Sequence, residues 1–214
     1  MTVAAKICGL SSEAAVEAAI AGGAVYVGFV FYPPSARSVS APRAGELCRA
    51  VPASVQRVGL FVDADDAAIV AALDAAPLDI LQFHGSESPE RVAEAKRRFG
   101  RKVMKVIAVA GPEDVATASR YEDVADLLLF DAKPPRRPGA LPGGNGLVFD
   151  WQLIAGRDWR LPWMLSGGLT AELLPNAVRI SGATAVDVSS GVERRPGDKD
   201  PDKIRAFLEV ARGL

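Results

Sequence analysis

Short apolar runs separated by alanine-rich amphipathic stretches recur along the whole chain, and this alternation constrains the fold more than any other feature. Eight runs read as strands: VAAKIC, VYVGFVF, RVGLF, DILQF, KVMKVIAV, DLLLF, WMLS and TAVDVS. Most are near-continuously apolar, as expected of parallel strands covered on both faces. Between them, SSEAAVEAAIAGG, ADDAAIVAALDAA and SPERVAEAKRRFG read as helices. Ser88-Pro89 and Asp200-Pro201 each offer an N-cap followed by proline at the first helical position. Gly22-Gly23 and Gly100 stand where a left-handed cap closes a helix. The pattern predicts an α/β chain folded as a single (β/α)8 TIM barrel over residues 1–214. An open doubly wound sheet is the rival. No GxGxxG follows the first strand, which removes the best reason to prefer it.

The composition narrows the function. With 49% hydrophobic and 24% charged residues in 214, the chain suits one soluble globular domain. A formal net charge of -1 provides no basic stripe for nucleic acid. No apolar run approaches the roughly 20 residues needed to span a bilayer, and MTVAAKICG lacks the form of a signal peptide. Two cysteines, Cys8 and Cys48, are too few for a disulfide framework. The expectation is a cytoplasmic protein with reduced thiols.

Chemistry-bearing residues gather at strand ends. In KICGL, Cys8 stands where the first strand breaks into a glycine turn, with Lys6 two residues earlier on the same side. A nearby ammonium lowers a thiol pKa and makes it a usable base; the bland alternative is a small buried hydrophobe. Asp131 follows LLLF, so a partly buried carboxyl is expected, suited to an acid's role. Its bland alternative is a helix cap or a partner for Lys133. Cys48, within RAGELCRAV, reads as helix packing.

Two further loops carry the marks of a ligand site. LSGGLT and DVSSGVE follow the seventh and eighth strands, where barrels commonly bind phosphate through backbone N–H groups and a short helix N-terminus. Gly167 and Gly168 would let backbone approach an anion, and Ser189 and Ser190 would add hydroxyl donors. Arg37, held among prolines in the second loop, has a planar fork suited to a carboxylate ligand. Gln82 and His84 read as pocket lining. No spacing suggests a metal cluster. The proline- and glycine-rich segment 133–146 reads as an active-site loop after Asp131, with a domain linker as the alternative.

Taken in order, KICGL, GFVFYPPSARSV, VGLFVDA, LQFHG, LLLFDAK, GGNGLVFDW, LSGGL, AVDVSSGVE and GDKDPDKIRAFL resemble the phosphoribosylanthranilate isomerase family of tryptophan biosynthesis over essentially the whole length. The resemblance implies a cofactor-free Amadori rearrangement of a phosphosugar substrate on a TIM barrel. It implies Asp131 as general acid, Cys8 as general base and Arg37 on the anthranilate carboxylate. Gly167, Gly168, Ser189, Ser190 and Asp187 would line the phosphate end. Monomer and homodimer are both compatible with it. Ser11 stands where threonine is frequent in the family, and either residue would cap the first helix. Phe83 replaces a smaller apolar residue, a change of packing rather than chemistry. Arg136 and Arg137 are either solvated or steering groups. The related isomerase of histidine synthesis resembles a two-aspartate arrangement, so Cys8 argues for the anthranilate substrate. A non-catalytic phosphosugar-binding barrel is the alternative from another class.

Overall fold

All eight predicted strands form, and they close on themselves. In the computed structural model, which describes residues 2–134 and 141–214, the strands are β1 (Ala4–Cys8), β2 (Tyr26–Val30), β3 (Gln56–Phe61), β4 (Ile80–Phe83), β5 (Lys102–Val109), β6 (Leu127–Ala132), β7 (Trp163–Leu165) and β8 (Ala185–Val188). Each pairs in parallel with its sequence neighbours, and β1 pairs with β8 in the register Lys6↔Asp187 to complete the barrel. Arg136 and Arg137 lie outside the described residues.

The outer ring departs from eight equal helices. It holds α1 (Glu13–Ala21), α2 (Ala41–Cys48), α3 (Asp66–Ala75), α4 (Pro89–Phe99), α5 (Pro112–Ala116), α6 (Leu174–Ser181) and α7 (Pro201–Gly213). Between β6 and β7 the described residues form only a short 3-10 turn, Trp151–Leu153. After β8 the chain adds an antiparallel hairpin, β9 (Glu193–Arg195) and β10 (Asp198–Lys199), before α7.

Local signals explain most helix ends. Ser88 accepts the Arg91 N–H at 3.3 Å, and Asp200 accepts the Asp202 N–H at 2.9 Å, each ahead of a proline at the first turn. Gly100 takes the left-handed cap at φ +60°. Two expectations are corrected. Ser12, not Ser11, caps α1, accepting the Ala15 N–H at 3.4 Å, while the Ser11 hydroxyl donates to Gly197 O. Gly23, not Gly22, takes positive φ (+87°). Gly22 serves packing, since a Cβ there would lie 2.4 Å from Leu208 Cδ1 of α7.

Side chains alternate across each strand, so the barrel has an inner and an outer core. Val58, Ile80, Met104, Val106, Leu129 and Met164 are buried together inside the barrel. Outside, Phe61 and Phe83 pack with ring centroids 6.5 Å apart, so Phe83 is a packing residue, as expected. Cys48 is buried in α2 and its thiol is pushed up to about 11, chiefly by burial. That is the packing role its position predicts. Among the described residues no helix is long and apolar enough to cross a membrane.

Candidate active site

The inward positions at the C-terminal strand ends converge on one open cavity of about 750 Å³. Cys8 ends β1, His84 follows β4, Asp131 lies near the end of β6, and Ser189 follows β8. Gln82, Ser166 and Asp187 lie on the same wall. The strand periodicity of two puts Lys6 beneath Cys8, and Asp187 beneath Ser189, on the inner face.

Cys8 sits beside Gly28 of β2, where a Cβ would come within 3.0 Å of its sulfur and 3.3 Å of Lys6 Nζ. Glycine there leaves room for the thiol and the ammonium. Lys6 is fully buried and donates to Asp187 Oδ1 at 2.9 Å. Burial pulls the Lys6 pKa down, but Asp187 and then Cys8 outweigh it and hold the ammonium charged. The Cys8 thiol goes the other way. Burial raises its pKa more than Lys6 and Lys199 lower it, which corrects the expected depression. Lys6 shares its charge with Asp187, so it offsets only part of the desolvation.

Asp131 accepts the Ala132 N–H at 2.8 Å through Oδ1, and its Oδ2 lies 3.3 Å from His84 Nε2. Strand β6 runs one residue past Asp131, so the carboxyl is buried in the wall rather than set in the loop. Lys133 pairs with Asp114, not Asp131, which removes the bland reading of the carboxylate. His84 Nδ1 in turn lies 3.4 Å from Gln82 Nε2. Gln82 Oε1 is buried with no partner among the described residues. Such an orphan on a cavity wall is satisfied at least cost by a ligand hydroxyl.

Arg37 differs from its expected use. Its fork is already filled by a protein carboxylate: Nε and Nη2 donate to Glu193 Oε1 and Oε2, both at 2.8 Å. Nη2 also donates to Gly144 O at 3.2 Å. A Cβ on Gly144 would meet Nη1 at 2.3 Å, which places that nitrogen against the 141–146 segment at the cavity. Gly143 of this segment packs on His84, with its would-be Cβ 2.6 Å from Cε1. The described part of the proline- and glycine-rich segment therefore lies over the mouth of the barrel.

The two predicted anion loops also line the cavity. Gly167 and Gly168 both take positive φ, +92° and +61°. Gly167 also has a steric reason, since a Cβ would fall 2.8 Å from Ala132 N and 3.3 Å from Asp131 Oδ1. Ser190 opens a single 3-10 turn, Ser190–Val192. Two assignments change. The Ser189 hydroxyl is engaged, donating to Cys8 O at 3.2 Å and accepting from Lys199 Nζ at 3.1 Å, so Ser190 is the hydroxyl of the pair without a partner among the described residues. Asp187 is a buried carboxylate held by Lys6 and by the Ser166 hydroxyl at 3.2 Å, and its negative charge disfavours contact with phosphate.

Glu193 and Lys199 are the residues that sequence reasoning missed. Lys199 Nζ is saturated by Glu193 Oε1 at 2.8 Å, Ser189 O at 2.8 Å and the Ser189 hydroxyl. The local signal was the RRPGDK turn, whose Gly197 has φ +84° and joins β9 to β10. It marks a hairpin but not what the hairpin holds.

Comparison with known proteins agrees with this arrangement. A family model described as N-(5'phosphoribosyl)anthranilate (PRA) isomerase matches residues 5–210. The N-(5'-phosphoribosyl)anthranilate isomerase of Parvibaculum lavamentivorans is 57% identical over 213 residues, covering 99% of each chain. Among solved structures, phosphoribosyl anthranilate isomerase from Thermotoga maritima superposes with a TM-score of 0.88 at 36% identity, covering 99% of this chain and 100% of that one. A phosphoribosyl anthranilate isomerase in complex with reduced 1-(o-carboxyphenylamino)-1-deoxyribulose 5-phosphate gives 0.85 at 35% identity, over 99% and 100% of the two chains.

Proposed function

The chain belongs to the N-(5'-phosphoribosyl)anthranilate isomerase family, and on that premise we propose how its own residues divide the work. The enzyme converts N-(5'-phosphoribosyl)anthranilate, an aldosylamine, to the aminoketose 1-(2-carboxyphenylamino)-1-deoxyribulose 5-phosphate in tryptophan biosynthesis. Asp131 donates a proton to the furanose ring oxygen as the C1–O bond breaks and the nitrogen lone pair forms an iminium. The iminium acidifies C2. Cys8, as thiolate, removes the C2 proton, and the C–H electrons flow toward nitrogen to give an enolamine. Loss of the 2-hydroxyl proton and protonation at C1 then give the ketone. Every step is a proton transfer or a heterolysis that two side chains serve.

Binding is assigned to groups away from the bond changes, where it holds the substrate in ground and transition state alike. Backbone at Gly167 and Gly168, with the Ser190 hydroxyl, receives the phosphate. Arg37 Nη1 meets the anthranilate carboxylate. Gln82 Oε1 accepts from a sugar hydroxyl, and His84 stands beside Asp131, its Nε2 without a hydrogen-bond partner among the described residues. Residues 1–214 act as one catalytic unit. Both cysteines are free thiols, in keeping with a reducing cytoplasm.

The observation that carries this reading is the placement of Cys8 and Asp131 at two strand ends of one cavity. The test is fluorescence loss from phosphoribosylanthranilate generated in situ, with indole-glycerol-phosphate synthase as coupling enzyme. Cys8→Ala and Asp131→Asn should each lower kcat by roughly 10²–10⁴-fold while the product still binds. Unchanged turnover in either variant removes that residue from its role.

A further inference from the structure

Glu193 touches neither of the acid–base residues, yet it joins the two binding ends of the site. Its carboxylate takes the Nε–Nη2 edge of Arg37 in two bonds of 2.8 Å, and one of its oxygens also takes Lys199 Nζ at 2.8 Å. Lys199 then holds the carbonyl and hydroxyl of Ser189. All three charged side chains are buried, so each geometry is fixed by the others rather than by solvent. The turn of the hairpin is itself docked. A Cβ on Gly197 would fall 2.3 Å from Ala36 O, the residue before Arg37.

From this geometry we infer that Glu193 is a positioning residue for substrate recognition. It occupies one edge of Arg37 and so turns Nη1, the remaining edge, toward the cavity for the substrate's aromatic carboxylate. Without Glu193 the guanidinium would be free to present its bidentate fork elsewhere, and the carboxylate end would lose its fixed position. The inference deepens the assignment of Arg37 made above and rests on it. The energy involved lies in ground-state placement of a remote group. Its loss therefore falls on KM rather than kcat.

The experiment measures binding of two fragments, anthranilate and ribose 5-phosphate, together with steady-state kinetics on phosphoribosylanthranilate. Glu193→Gln should weaken anthranilate roughly 10- to 100-fold, the scale of a charge-assisted contact, and raise KM similarly. Ribose 5-phosphate affinity and kcat should stay within about threefold. Glu193→Asp keeps the charge but withdraws it by one methylene. It should show a smaller change of the same kind, and it serves if Glu193→Gln fails to fold. Equal weakening of both fragments, or a fall in kcat with KM unchanged, would mean a structural role and overturn the inference. Arg37→Met separates the premise from the conclusion. If Arg37→Met leaves anthranilate binding intact, the Arg37 assignment itself fails. If Arg37→Met weakens anthranilate but neither Glu193 variant does, only the present inference fails.

Discussion

At the scale of single residues, burial governs the chemistry more than neighbouring charge does. Cys8 has a lysine on its own face of β1, yet Lys6 is committed to Asp187 at 2.9 Å and the thiol pKa still rises. Reading the strand alone shows the lysine but not the carboxylate that shares it, because Asp187 is 181 residues away. Arg37 teaches the same lesson, its carboxylate partner being 156 residues away. The identities of Cys8, Asp131, Gly167 and Gly168 were legible because strand ends and glycine turns leave local marks. Charge partners leave none. Gly167 yields a prediction at this scale. Gly167→Ala meets both a strained φ of +92° and a contact 2.8 Å from Ala132 N, so it must displace the backbone beside Asp131. It should lower kcat roughly 10²-fold, the effect of an ångström's misplacement, with circular dichroism unchanged. Wild-type turnover in a folded Gly167→Ala would contradict the close packing described.

At the scale of elements, apolar runs and caps were sufficient to find all eight strands. Boundaries were missed where tertiary contacts decide them. Strand β6 extends through Asp131 and Ala132 because both pair with β5, at Ala108 and Val109. A polar residue inside a strand is invisible to a hydrophobic pattern. The segment between β6 and β7 lacks a helix in its described part, and its glycines are shaped by what they cover. Gly144 lies against Arg37 Nη1, so Gly144→Ala should push the guanidinium from its place and raise KM while kcat is largely kept. Steady-state kinetics check this directly. A rise in kcat without change in KM would point instead to a segment limiting product release.

At the scale of the whole molecule, the barrel separates stability from function along its axis. Met104 lies in the inner core on β5, is not among the described residues that line the cavity, and is fully buried. Met104→Ala should cost about 2–5 kcal/mol of unfolding free energy with little change in KM. Denaturant melts with an unchanged m-value would check it. Electrostatics also acts at this scale. The net charge of -1 does not attract an anionic substrate, and three buried cations, Arg37, Lys6 and Lys199, stand against three buried carboxyl groups, Glu193, Asp187 and Asp131. Raising ionic strength from about 0.01 to 0.15 M shortens the screening length from roughly 30 to 8 Å, and kcat/KM should change little. A steep fall with salt would show that longer-range attraction, not contacts inside the cavity, sets the encounter.

The central claim is that the Cys8 thiolate removes the C2 proton, and the pH dependence of kcat/KM in Asp131→Asn tests it most directly, because no acid at position 131 then titrates against the thiol. This parameter reports ionisation in the free enzyme, where burial holds the Cys8 pKa above a thiol's ordinary range. Below that pKa the thiolate fraction grows about tenfold per pH unit, so the residual rate of Asp131→Asn must rise with pH and continue rising past about 8.5, the value for a free thiol. Adding Cys8→Ala should remove this alkaline rise. An Asp131→Asn profile that is level through the alkaline range, or a rise that persists unchanged in the double variant, would contradict the assignment of Cys8 as the base.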